Sequence, residues 1–208
     1  MAVQILPYDV KNYNSLPPLW DASETLGPVS KHTKAFGDIA NVFLEHDIHE
    51  RLGVILLHKH FPMETSQKLV ALGNVATPWD TNTASEALTE VKPSSFRFVH
   101  GSVTAYEFTS GIKELPLEGE NMQAFLTALL PILVKWGLDN LLGICALPGI
   151  GGPINTEFTS GNANITLPVD LNPETGSIEA MWHFSRTSEA GFMPFGMSNP
   201  TSSLISTE

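Results

Sequence analysis

Apolar positions in DIANVFLEHDIHER, Asp38 to Arg51, recur at helical spacing: Ile39, Val42, Phe43 and His46 share one face. Asp38 stands where an N-cap belongs, and Leu52-Gly53 ends the segment. The next run, GVILLHKHF, is short, β-branched at its start and bounded by Gly53 and Pro62, which predicts a buried strand. In a strand Val54, Leu56, His58 and His60 point to one side, and Ile55, Leu57, Lys59 and Phe61 to the other. SSFRFVHGSVTAYEFTSG predicts two strands around a turn at His100-Gly101, with Val103, Ala105 and Glu107 on one face. ENMQAFLTALLPILVKWGLDNLLG predicts a second long helix, capped by Asn121, kinked at Pro131 and stopped at Gly137.

Between these, QKLVALGNVATPW reads as a turn of helix or an irregular strand, and INTEFTSGNANITLPVDL and GSIEAMWHFSR read as strands joined through NPETG. Residues 1–36 are rich in Pro, Ser and Gly and predict an extended arm whose Leu16, Trp20 and Phe36 lie on the body. Residues 37–190 form the expected single domain, and 191–208 an expected C-terminal tail. The fold class that follows is α+β: a mainly antiparallel sheet packed against two principal helices.

Composition narrows the function classes. With 42% hydrophobic and 16% charged residues in 208, the chain is expected to fold around a real core. Eleven Lys and Arg against 22 Asp and Glu give a net charge of −11, which disfavours a nucleic-acid partner. Neither a secretory signal nor an uninterrupted apolar span is evident, so a soluble cytoplasmic protein without a membrane partner is expected. The single cysteine, Cys145, lies in the apolar run LLGICALP and reads as a buried, inert thiol.

The candidate chemistry lies in HDIHERLGVILLHKHF, which carries four of the seven histidines: His46, His49, His58 and His60. An His-x-His pair on a strand aims both rings the same way, a usual beginning of a metal site, but a third ligand must come from elsewhere. His46 and His49, three apart on the expected helix, are candidates, as is Glu107, whose carboxylate would be costly to bury alone. His183, in MWHF, has the same character. Two histidines and a carboxylate suit Zn or Fe, so a divalent metal is the expected cofactor. The reading is a metal-dependent hydrolase, lyase or oxygenase acting on a small apolar or carbonyl-containing metabolite, with Glu107 as ligand or general base. Two other readings use the same histidines: a metal-free protein that binds a hydrophobic ligand, and an acid/base isomerase or cyclase.

Two similarities bear on this reading. The cupin family's first motif also strings together a Gly, an His-x-His pair, a Glu and a second Gly. Here these fall at Gly53, His58, His60, Glu64 and Gly73, with both glycine intervals off the pattern, and GICALPGIGGPIN lacks the second motif's His. The two helices also fit a small barrel poorly. Over residues 38–185, the order of FLEHDIHERLGVILLHKHF, SSFRFVHGSVTAYEF, TEFTSGNANITLP and AMWHFS resembles a family of uncharacterised fungal proteins with a G-x-x-LLH-x-HF segment. That resemblance implies a fungal, cytosolic α+β protein and no particular activity. Within the chain, EFTSG occurs at 107–111 and again at 157–161, each followed by Leu-Pro; duplicated strand ends or coincidence would both produce it.

Overall fold

A computed structural model describes residues 2–82, 90–110, 120–147, 155–168, 178–186 and 192–199. The NPETG turn and the glycine-rich GIGGP segment lie outside these residues. Eleven strands join in one sheet. They are β1 (Ile5–Leu6), β2 (Leu52–Leu56), β3 (Gln67–Leu72), β4 (Val75–Asp80), β5 (Val91–Val99), β6 (Ser102–Ser110), β7 (Leu142–Ala146), β8 (Asn155–Ser160), β9 (Ala163–Pro168), β10 (Ile178–Phe184) and β11 (Phe192–Asn199). The helices are α1 (Val10–Asn14), α2 (Leu19–Leu26), α3 (Thr33–Glu45) and α4 (Glu120–Trp136).

The expectation of a mainly antiparallel sheet holds, but the sheet closes on itself. Its order is β1-β6-β3-β4-β9-β8-β11-β10-β2-β7-β5, and β5 pairs back onto β6, so every strand but β1 belongs to a ring. Closure removes the unpaired edges of an open sheet and gives it an inside and an outside. The parallel pairs are β1–β6, β3–β6 and β8–β11. The sheet outweighs the helices, so the expected emphasis on two principal helices does not hold. The described residues form a helix-clad barrel, contrary to the expectation that two long helices fit a small barrel poorly. No described helix is long and apolar enough to cross a membrane.

Two buried clusters divide the strands by face. Outside, Val54, Leu56, Phe96, Phe98, Leu142, Ile144, Trp182 and Phe184 pack against Phe36, Ile39 and Phe43 of α3 and Phe125, Leu126 and Leu129 of α4. Inside, Ile55, Leu57, Leu69, Tyr106 and Cys145 meet Val10 and Tyr13 of α1 and the following Leu16. Burial of this kind contributes about 25 cal/mol per Å² of apolar surface. β2 supplies both clusters by alternation, which is why all five of its residues are buried.

Several local expectations change. Residues 1–36 are not an extended arm: the described part holds two α-helices, a 3-10 turn at Val29–His32 and the start of α3. Asp9 caps α1 by accepting from the Lys11 amide. Asp38 is no cap, because α3 begins at Thr33; its carboxylate accepts from Lys135 Nζ (2.7 Å) and Trp136 Nε1 (2.9 Å) and so ties α3 to α4. α3 ends at Glu45 with His46 as its C-cap, before residue 51, and Asp47 turns the chain at φ 53°. QKLVALGNVATPW is the β3–β4 hairpin. Residues 192–199, expected in the tail, form β11 between β10 and β8.

The β5–β6 hairpin turns at His100-Gly101 as expected, with His100 at φ 48°. α4 ends as expected at Gly137, whose φ of 67° lets Leu138 N reach Leu133 O (2.8 Å). Asn121, however, lies within α4, and its side chain donates to His46 O (3.3 Å).

Candidate metal centre

β2 ends at Leu56, so His58 and His60 are not on a strand, and the alternation expected to align them does not operate. Their loop is fixed instead by the N-terminal segment. Lys59 N donates to Pro17 O and Lys59 Nζ to Asn14 O (2.9 Å each). Asn14 holds Met63 through both backbone groups, and His60 N donates to Tyr13 Oη (3.1 Å). The rings nevertheless meet, with centroids 4.8 Å apart and planes 79° apart.

His58 is 2% exposed. Its Nδ1 lies 2.8 Å from Leu56 O, and because a carbonyl only accepts, Nδ1 carries the proton and Nε2 an open lone pair. That Nε2 is buried with no hydrogen-bond partner. Burial, then the charge of His60, pushes His58 down to about 4, although the Leu56 bond and Glu107 pull upward. At neutral pH its ring is uncharged.

His60 Nε2 lies 3.3 Å from Glu107 Oε1, and Glu107 Oε2 accepts from Ser95 Oγ (2.8 Å). Burial opposes charge on His60, but the Glu107 bond and the Glu157 and Glu107 carboxylates outweigh it and hold the imidazole above its ordinary range. Burial likewise opposes charge on Glu107, and His60, Ser95 and His58 overcome it, so Glu107 sits below the usual carboxylate range. The two groups form a buried hydrogen-bonded pair in which each favours the other's charged form. Thr159 Oγ1 is 3.4 Å from His60 Nδ1 and Asn164 Nδ2 is 3.3 Å from Nε2.

Glu107 reaches this site through a β-bulge. Ser95 pairs with Glu107 but Phe96 pairs with Ala105, leaving Tyr106 as an extra residue. Val103 and Ala105 face the helices while Tyr106 joins the inner cluster, and Glu107 turns inward beside it. Glu107 therefore does not share the face of Val103 and Ala105 that strict alternation predicts.

The third candidate ligand is Glu157 on β8. Ligand atoms of His58, His60 and Glu157 all lie within 4.8 Å of one another, close enough to hold a metal ion. Glu157 was not foreseen, although its signal was present: it opens the second EFTSG, as Glu107 opens the first. Glu107 sits behind His60, His46 stacks edge-on against Phe125 (6.0 Å), and His49 Nδ1 lies 3.9 Å from Asp47 Oδ1; none of these three joins the trio. His183 lies on β10, and burial lowers its pKa. Cys145 is buried; that burial, then Glu107 and Glu157, pushes its thiol far up, as an inert thiol requires.

A cavity of 260 Å³ adjoins the centre, bounded by Glu107, Glu157 and Asn164 at the site and by Gly73, Asn74, Ala146 and Asn155 elsewhere. Comparison with protein-family models, with curated proteins and with solved structures finds no match.

Proposed function

We propose that this protein is a metal-dependent enzyme acting on a small molecule in the barrel cavity, with a divalent cation held by His58, His60 and Glu157. The buried, unpartnered Nε2 of His58 carries the reading. Its tautomer is set by a backbone carbonyl, as in ligating histidines, and an unanswered polar atom in a dry interior is expensive. Glu107 supports the reading as the carboxylate that orients His60 and raises its basicity. Two histidines and one carboxylate leave coordination positions open, which suits Zn for activating water or polarising a carbonyl, and Fe(II) for oxygen chemistry.

Elemental analysis of purified protein, after supplementation with Zn or Fe(II), tests this. One equivalent is expected in wild type and far less in folded His58→Ala and Glu157→Gln. Wild type that stays metal-free would sink the proposal.

One observation favours a second reading. The His60–Glu107–Ser95 chain is already an oriented acid/base group, which suits a metal-free isomerase or cyclase. Binding and turnover indifferent to a chelator would select it. Two carboxylates in the cavity wall count against a purely hydrophobic ligand.

A further inference from the structure

We infer that the cavity selects a small, neutral, polyhydroxylated molecule and rejects carboxylates and phosphates, an assignment that rests on the metal reading above. Charge is the first ground. Glu107 and Glu157 line the cavity, and none of its described lining residues is Lys or Arg. Arg97 does not line this cavity, and its Nη1 donates to Asn12 O and Ser15 Oγ. A divalent ion beside Glu107 and Glu157 would leave the site with no net positive charge, and no Lys or Arg stands in the described wall, so an anionic substrate would make the site net negative where a neutral one would not.

Hydrogen bonding is the second ground. Asn164 is 4% exposed, lines the cavity, and leaves its Oδ1 without a partner. Its Nδ2 faces His60 Nε2, so whichever way the amide is turned, one end remains to be satisfied. A hydroxyl answers either orientation because it both donates and accepts, whereas a carboxylate only accepts. Thr109, Asn155 and Thr166 add polar groups to the wall. Ile55, Leu69 and Met181 also line the cavity and suit the C–H side of a polyol.

Size is the third ground. At roughly 30 Å³ per water, 260 Å³ holds about nine waters, a volume that suits a ligand of about ten non-hydrogen atoms. A four- or five-carbon polyol fits.

The test is calorimetric titration of metal-loaded protein with erythritol, xylitol and xylose, and with erythronate and xylonate as their acids, metal content being measured separately. At least one neutral probe should bind saturably, with its acid at least about tenfold weaker. Asn164→Leu and, should that variant misfold, Thr166→Val should weaken polyol binding about tenfold or more while keeping the metal. Acids that bind as well as the neutral probes, or no binding by any neutral probe, would overturn the inference. If the protein holds no metal yet polyols bind and acids do not, only the metal reading fails, because the carboxylates alone then select against anions.

Discussion

Glu107 and Glu157 open the two EFTSG segments, on β6 and β8, and converge on the same pair of imidazoles from different sides of the barrel. Their roles differ. Glu157 completes the trio of ligand atoms, whereas Glu107 bonds to His60 and is braced by Ser95. Glu107→Gln should therefore weaken metal binding about 10- to 100-fold, the usual cost of losing a group that orients a ligand. Glu157→Gln should weaken it further by removing a charged ligand. Competition against a zinc-binding dye ranks the two; the opposite order would exchange the roles.

The metal-free protein should lose stability in mild acid. His58 is held down to about 4 in the fold and returns to about 6.5 when unfolded, so between these values the unfolded chain binds the extra proton. The contribution is complete above pH 6.5 and is lost as pH falls toward 4, by about 3 kcal/mol in all. His60, shifted upward, works in the other direction at higher pH and does not offset this loss. Urea unfolding of chelated protein across that window should show the decline, and His58→Gln should flatten it. An equally steep curve in the variant would remove His58 as the cause.

The N-terminal segment should loosen when its clasp is cut. Arg97, 8% exposed, donates through Nη1 to Asn12 O and Ser15 Oγ and pins α1 and its flank against the inner cluster. Hydrogen bonds from a charged donor contribute about 1.5–3 kcal/mol. Arg97→Met keeps the stem and removes the donors, so cleavage after exposed Lys11 by a lysine-specific protease should speed up roughly ten- to a hundredfold. Because Tyr13 and Asn14 hold the histidine loop, metal affinity should fall with it. Unchanged cleavage would show that the segment is held elsewhere.

What was legible in the sequence follows what was local. The β5–β6 hairpin announced itself by alternation around His100-Gly101, and the end of α4 by Gly137. Barrel closure left no local trace, since β5 meets β6 on one side and β7 on the other through pairings set by the whole chain. Asp38 resembled a cap because a cap and an interhelical ion pair use the same residue type. The composition of 1–36 concealed α1, although Asp9 followed by Val10, Tyr13 and Leu16 at intervals of three is a short helix start. In the site, the His-x-His pair was found by spacing and Glu107 by residue type. Glu107's face was misjudged because one extra residue at a bulge reverses the alternation. Glu157 was hidden because only the repeat, not its own neighbourhood, pointed to it.

Ring closure also makes a prediction at Gly53, where β2 passes β10. A Cβ there would lie 2.6 Å from Trp182 O and 2.9 Å from Leu147 Cδ2. The first of these atoms is backbone, and Trp182 pairs with the adjacent Val54, so relief requires moving one strand of the ring against its neighbour. Gly53→Ala should therefore cost about 1–3 kcal/mol, the ordinary penalty for overpacking a filled interior. Gly37, inside α3, meets nothing within 4 Å at the same position, and Gly37→Ala should instead stabilise by about 0.5–1 kcal/mol. Urea midpoints shifting in opposite directions at similar slopes are expected. If Gly53→Ala is neutral, the β2–β10 contact is looser than these distances describe, and the inner wall that presents Ile55 and Cys145 to the cavity yields more readily than a close-packed barrel would.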